Sequence, residues 1–131
     1  MRTTHLALLA GLALAAPALA DDLYALGGNI SPVLYTLDPA TGGVLTFHSV
    51  TGQEALFGGL GSDATGNLYS IDGYNDPNSD RLFAIDKNSG AGTVVGPTRY
   101  NWNFRCLCLN PVAGGLYGST DNNLYTMNLT T

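Results

Sequence analysis

Six pairs of a leucine followed by an aromatic residue recur along this chain at two interleaved spacings. The pairs are Leu23-Tyr24, Leu34-Tyr35, Leu68-Tyr69, Leu82-Phe83, Leu116-Tyr117 and Leu124-Tyr125. The first, third and fifth pairs lie 45 and 48 residues apart, and the second, fourth and sixth lie 48 and 42 apart. A self-similar period of about 40–50 residues indicates one small structural unit that is repeated and stacked on its own copies.

Alignment of the chain with itself predicts ten short strands in three copies of the unit. The middle copy, residues 55–97, has four strands, whereas the copy at 22–50 lacks the first strand and the copy at 104–128 lacks the fourth. The predicted strands span residues 23–27, 33–38, 44–50, 55–63, 67–72, 80–86, 92–97, 104–110, 116–119 and 123–128. The intervening turns combine Asp with Gly, which is typical of side-chain-capped turns, and we favour this interpretation over metal binding.

The predicted strands are apolar at successive positions, as in Leu-Phe-Ala-Ile at 82–85 and Cys-Leu-Cys-Leu at 106–109. Continuous apolar runs are expected of a sheet that is covered on both faces. We therefore predict an all-β fold made of four-stranded antiparallel blades of the β-propeller type, with about two and a half blades in an incomplete ring. A compact β-sandwich that folds its ends over each other is the structural alternative.

Two repeat units carry a resemblance to known proteins. Residues 34–42 read Leu-Tyr-Thr-Leu-Asp-Pro-Ala-Thr-Gly, and residues 66–72 read Gly-Asn-Leu-Tyr-Ser-Ile-Asp. These units resemble the repeats of exported bacterial β-propellers of the LY-x-[IL]-D-x-x-T-G type, which are related in pattern to NHL and YVTN-like propellers. The resemblance covers nearly all of the chain after residue 20 and implies a fold. It implies no activity, because one fold supports many functions.

The first twenty residues have the features of a secretory signal peptide. Arg2 precedes an apolar run over residues 6–16, and Ala-Leu-Ala at 18–20 supplies the small-residue cleavage pattern. We therefore predict export to the periplasm, the cell surface or the medium; a buried N-terminal helix is the alternative. Without Arg2 the chain has four Lys and Arg against ten Asp and Glu. This acidic balance argues against nucleic acid as a partner, and we predict no membrane anchor after residue 20.

The third copy stops inside a turn, one residue before the Gly that the repeat predicts after Thr131. A propeller ring closes with at least about four blades. We therefore expect the chain to be the N-terminal portion of a longer propeller. A blade face left open exposes about 500 Å² of apolar surface, so we also expect self-association if the chain is truncated.

Two segments of the middle copy are the candidate binding region. In a propeller, the loop between the second and third strands shares a face with the connection to the next blade. The ligand-binding candidates on that face are Tyr74, Asp76, Asn78, Tyr100 and Trp102. Aromatic rings beside amides and carboxylates suit a small molecule, a carbohydrate or a protein segment. The alternative is that Trp102 packs between blades.

Calcium is the one cofactor that the sequence suggests, and the signal is weak. Asp76, Asn78 and Asp80 have the alternating spacing of calcium-loop ligands. However, Arg81 stands where the motif requires Gly, and no Glu follows at the twelfth position. The alternative is a plain surface loop without any cofactor.

The remaining reactive side chains are few. Cys106 and Cys108 lie two apart on one strand, opposite Gly58 and Leu60 of the middle copy in our alignment, and we predict two buried thiols rather than a redox or metal site. His48 is the only histidine after residue 20, so the sequence identifies no catalytic residue. We expect an exported binding or scaffold module. The alternative is a fragment of a propeller enzyme, such as a calcium-assisted lactonase or lyase, with its catalytic residues elsewhere.

Overall fold

Ten short strands account for most of the backbone that the structure describes. The structure, a computed structural model, describes residues 22–28, 31–52, 56–74, 80–98 and 104–129. The strands are β1 (Leu23–Gly27), β2 (Val33–Leu37), β3 (Val44–Ser49), β4 (Leu56–Ser62), β5 (Leu68–Tyr74), β6 (Arg81–Ile85), β7 (Gly92–Pro97), β8 (Cys106–Leu109), β9 (Leu116–Ser119) and β10 (Leu124–Met127). No helix occurs in these ranges, which confirms the predicted all-β class.

Each of the three predicted copies of the repeat corresponds to one antiparallel sheet. The first sheet contains β1, β2 and β3, the middle sheet β4 to β7, and the third sheet β8, β9 and β10, all in chain order. Ten strands divided three, four and three match the division predicted from the repeat. The main differences are that β5 continues to Tyr74, two residues beyond its predicted end, and that β8 begins at Cys106 rather than at Phe104.

The middle sheet is buried on both faces, because alternate residues of its strands point to opposite neighbours. Phe83 and Ile85 on β6 pack with Leu68 against the first sheet, where Leu34 and Val50 complete the cluster. These five side chains are all buried. They form the core between the first and middle sheets.

The opposite face of the middle sheet packs on the third sheet. Tyr69, Ile71 and Leu82 form one cluster with Leu107 and Leu116. Each hydrophobic core therefore lies between two sheets. The middle sheet contributes to both cores, and the first and third sheets contribute to one core each. This arrangement explains the continuous apolar runs in the sequence.

Backbone hydrogen bonds also join the sheets at their turns. The Thr51 N–H donates to the Gly90 carbonyl at 3.2 Å, and the Gly92 N–H donates to the Thr51 carbonyl at 3.1 Å. On the other side, the Ala64 N–H donates to the Gly114 carbonyl at 3.1 Å. The middle sheet is thus bonded to both of its neighbours.

Gly61 on β4 permits a very close approach of the third sheet. A Cβ atom placed on Gly61 would lie 2.7 Å from the Cβ of Leu107 on β8. Real Cβ atoms do not approach each other so closely, so a larger residue at position 61 would push the two strands apart. Neighbouring first strands of the repeat therefore pack backbone against backbone at this point.

Candidate functional site

The two segments singled out from the sequence, 75–79 and 99–103, begin or end at the same end of the middle sheet. Asp80 follows the first segment and Thr98 precedes the second. Both the N–H and the Oγ1 of Thr98 donate to the Asp80 carbonyl oxygen, each at 2.9 Å. We call this end of the middle sheet, marked by residues 74, 80 and 98, the loop end.

Tyr74 is the last residue of β5, whereas the sequence analysis placed it in the following loop. Its backbone pairs with Leu56 of β4, so position 74 is held by the sheet at the loop end. The other ligand-binding candidates, Asp76, Asn78, Tyr100 and Trp102, lie outside the described residues. The proposed grouping of these side chains remains a prediction.

Asp80 is the one calcium candidate within the described residues. It is buried, and its backbone carbonyl is bonded to Thr98. The part of the chain that the structure describes holds no group of three or more His, Cys, Asp or Glu side chains that could bind a metal ion. Because Asp76 and Asn78 lie outside that part, calcium binding stays a prediction.

At the opposite end of the middle sheet and in the first sheet, aspartates close the turns as predicted. Asp38 accepts hydrogen bonds from the Ala40 N–H and from the Thr41 hydroxyl, both at 2.8 Å. Asp86 accepts one from the Asn88 N–H at 2.8 Å. These backbone N–H groups are the main reason that the pKa of each carboxyl lies below its ordinary value. The turn interpretation of these residues is confirmed.

Asp63 has the densest set of hydrogen bonds among these turns. Its carboxylate accepts bonds from the backbone N–H and the side chain of both Thr65 and Asn67, at 2.8 to 3.0 Å. The Tyr69 hydroxyl donates a further bond at 3.2 Å. Partial burial opposes ionisation of Asp63, but the bonds from Asn67 and Thr65 outweigh it and lower the pKa to about 2. Asp63 is therefore an anionic anchor of its own turn.

A cleft of about 670 Å³ lies between β1 and β4, and the sequence analysis did not identify it. It is lined by residues 22–24, 60–66, 68, 87 and 109. β1 is the edge strand of the first sheet, so its outer backbone edge borders the cleft. In the middle sheet, β5 has the first strand β4 as its partner at the corresponding edge. The cleft thus lies where a first strand would pair with β1.

Polar groups line both sides of the cleft. On one side the Tyr24 hydroxyl donates to the Asp22 carboxylate at 2.9 Å. Burial and then the neighbouring Asp22 raise the pKa of Tyr24. Asp63 and Lys87 contribute charges from the turns of the middle sheet. The cleft therefore offers a strand edge that no described residue pairs with, a neutral phenol and charges of both signs, which suits an extended polar segment.

One sequence signal pointed toward this cleft. The first copy of the repeat lacks a first strand, and this absence leaves β1 at the edge of its sheet. The alignment showed the missing strand, but it gave no indication that the neighbouring β4 stays far enough away to leave a cavity. That distance depends on how the sheets stack, and the repeat pattern does not encode it.

The prediction of two buried thiols was wrong. Cys106 and Cys108 are free and exposed, and the Sγ of Cys106 lies 3.0 Å from the Ser119 Oγ. Both cysteines lie on the face of the third sheet that points away from the core residues Leu107 and Leu116. The described residues place no sheet over that face.

The strand register also corrects the alignment of these cysteines with the middle copy. Cys108 pairs with Tyr117 on β9, and Gly61 pairs with Tyr69 on β5. Because Tyr117 and Tyr69 hold the same place in the repeat, the counterpart of Cys108 is Gly61 rather than Leu60. Sequence alignment missed this because the turn between β8 and β9 is one residue longer than the turn between β4 and β5. Six residues separate Leu109 from its partner Leu116, and five separate Ser62 from its partner Leu68.

Comparison of the chain with protein-family models, curated proteins and solved structures gave no match. Within the described ranges, no helix is long and apolar enough to cross a membrane.

Proposed function

We propose that this chain is an exported binding or scaffold module of the β-propeller type, which binds its ligand at the loop end of the middle sheet. The observation that carries the proposal is the pair of hydrogen bonds from Thr98 to the Asp80 carbonyl. These bonds hold the bases of segments 75–79 and 99–103 together on one rigid sheet. A ligand that contacted both segments would meet a preorganised framework, which limits the entropy lost on binding.

The propeller assignment is supported by the way the sheets stack. One repeat copy forms one antiparallel sheet, and the middle sheet uses one face for each neighbour. The first strands β4 and β8 pack closely through Gly61. Blades arranged around an axis are expected to pack in this way, since their first strands are the innermost.

Binding is favoured over catalysis by what the described carboxylates do. Asp38, Asp63 and Asp86 each accept several hydrogen bonds from their own turns. A carboxylate held in this way at a depressed pKa is a poor general base near neutral pH. These groups stabilise the scaffold, and the ligand would be recognised by side chains of the loop end.

The segments at the loop end carry Tyr100, Trp102, Asp76 and Asn78. Aromatic faces beside amide and carboxylate groups are suited to polyhydroxylated ligands, because the ring covers the C–H face of a sugar while the polar groups bind its hydroxyls. We therefore expect a neutral oligosaccharide to be the ligand class.

A direct test uses calorimetric titration of the purified protein with a panel of neutral oligosaccharides, with extended peptides as the comparison class. We expect saturable binding of at least one oligosaccharide. Trp102→Ala should abolish it, with a small change in thermal stability. The matched control is Lys87→Ala, which alters the cleft at the opposite end of the middle sheet and should leave binding unchanged.

Two results would contradict the proposal. Binding that survives Trp102→Ala but is lost in Lys87→Ala would move the site to the cleft beside β1. Alternatively, unfolding of Trp102→Ala at a much lower temperature than the wild type would show that Trp102 packs between sheets.

A further inference from the structure

The first and third sheets each leave one face uncovered within the described residues. The first outer face consists of Leu23, Ala25, Gly27, Val33, Tyr35, Leu37, Val44, Phe47 and Ser49. The third outer face consists of Cys106, Cys108, Tyr117, Ser119, Leu124 and Thr126. Neither set contains a charged residue, whereas the solvent-facing side of an antiparallel sheet is usually polar.

Comparison with the equivalent residues of the middle sheet indicates that these faces are suited to packing on another sheet. Leu23 has the place in its strand that Leu68 has in the middle sheet, and Leu124 has the place of Leu82. Leu68 and Leu82 are 4% and 3% exposed, but Leu23 and Leu124 are 48% and 64% exposed. Residues that are core in the middle sheet are thus left open on the outer sheets.

The two outer faces correspond to the two opposite faces of the middle sheet. The first outer face corresponds to the middle-sheet face that packs on the preceding sheet, and the third outer face to the one that packs on the following sheet. We propose that a second copy of this chain places its first outer face on the third outer face of the first copy, in a head-to-tail contact.

The contact inside the chain indicates which residues meet between copies. Phe83 of the middle sheet packs in one cluster with Leu34 of the preceding sheet. Tyr35 occupies the place of Phe83 in the first sheet, and Leu124 occupies the place of Leu34 in the third. Tyr35 of one copy therefore packs near Leu124 of the other.

The cysteines favour a second copy over a further four-stranded sheet. Inside the chain, the following first strand presses on Gly61, where a Cβ would be only 2.7 Å from Leu107. The corresponding residue on the third outer face is Cys108, whose side chain would obstruct another first strand. Within the described residues, the first sheet has no strand in front of β1, which leaves room for the thiols of Cys106 and Cys108.

The size of the faces sets the strength of the contact. Two faces of about 500 Å² each bury about 1,000 Å² in total, near the lower limit for a specific interface. Ser119 and Thr126 also make the third outer face less apolar than its counterpart in the middle sheet. We therefore expect reversible, concentration-dependent association, and the head-to-tail geometry allows rings or open chains.

Sedimentation velocity over a concentration series tests this arrangement. The wild type should shift from monomer to oligomers as its concentration rises. Phe47→Asp, which breaks the first outer face, and Leu124→Lys, which breaks the third, should each remain monomeric. An equimolar mixture of the two variants should form a dimer and nothing larger, because each variant keeps the face that the other has lost.

The matched control is Val112→Asp, since Val112 is 92% exposed and lies outside both faces; it should associate like the wild type. Circular dichroism confirms that each variant is folded, with Phe47→Ser and Leu124→Ser as replacements if a charged variant is not. A wild type that stays monomeric throughout would overturn the proposal. So would association lost in Phe47→Asp but kept in Leu124→Lys, because that result indicates a symmetric contact between two first sheets.

Discussion

The middle sheet and the two outer sheets place equivalent residues at the same repeat positions, yet they bury them to very different extents. Phe83 is fully buried on the middle sheet, whereas Tyr35, in the same place on the first sheet, is only half-buried. Leu82 and Leu124 show a still larger difference on the middle and third sheets. Burial in this molecule therefore depends on how many neighbours a sheet has, since the residue types are nearly the same.

The middle sheet also differs in how it is bonded to the rest of the chain. Its turns exchange backbone hydrogen bonds with Thr51 on one side and with Gly114 on the other. Loss of packing in the middle sheet would therefore detach both the first and the third sheet from it. Loss of a side chain on an outer face would detach neither. The three sheets should unfold as one cooperative unit when the middle sheet is damaged.

The largest effect is expected from truncating the aromatic residue of the middle sheet. Phe83→Ala removes a ring with no solvent exposure that contacts the first sheet, and such a change costs about 3–5 kcal/mol in the free energy of unfolding. Tyr35→Ala at the same repeat position should cost much less, because its ring lies on an open face. Urea denaturation of the two variants and the wild type measures the difference. Equal losses would mean that the first outer face is covered in the monomer.

The second pair compares the middle sheet with the third. Leu82→Ala should lower the free energy of unfolding by about 2–5 kcal/mol, as at other buried leucines. Leu124→Ala should change it by about 0.5 kcal/mol or less, as is usual for exposed positions. Thermal or urea melts should be recorded at low protein concentration, where the proposed contact between copies is dissociated. A near-zero cost for Leu82→Ala would contradict the observed register of β6.

The sequence predicted the strands well and the exposure of their residues poorly. The six leucine and aromatic pairs lie on β1, β2, β5, β6, β9 and β10, and alignment of the chain with itself predicted the other four strands. The same pattern predicted Cys106 and Cys108 to be buried, although they lie on an open face. Residue type shows that a face can be buried, but only the arrangement of the sheets shows whether it is.

The cleft and the loop end differ in how far the sequence could predict them. Asp80 and Thr98 lie next to segments that the repeat identified as loops, so the topology alone brought them to one end of the sheet. The cleft beside β1 depends on the distance between β1 and β4 across two sheets. No local pattern in residues 22–24 or 60–66 encodes that distance.

The smallest effect on stability is expected at a turn that has an equivalent in both the middle and the third sheet. Asp63 caps the turn between β4 and β5, and Asn110 caps the corresponding turn between β8 and β9 by accepting bonds from the Val112 and Ala113 N–H groups at 3.1 Å. An amide cap does not titrate, whereas Asp63 binds its turn as an anion with a pKa of about 2 against an ordinary value of 3.8. Acid should therefore weaken the middle-sheet turn and leave the third-sheet turn unchanged.

Because folding lowers the pKa of Asp63, its contribution to stability is fully present above the ordinary value of 3.8 and is lost as the pH falls toward 2. Asp63→Asn makes the middle turn resemble the third and should flatten the loss of stability over this pH range, at a small cost near neutral pH. Asp38 and Asp86 act in the same direction, so part of the acid sensitivity should remain. Urea melts at a series of pH values measure the effect. The control is Asp121→Asn, which makes the same charge change on the third sheet. An unchanged acid dependence in Asp63→Asn would show that folding does not lower the pKa of Asp63.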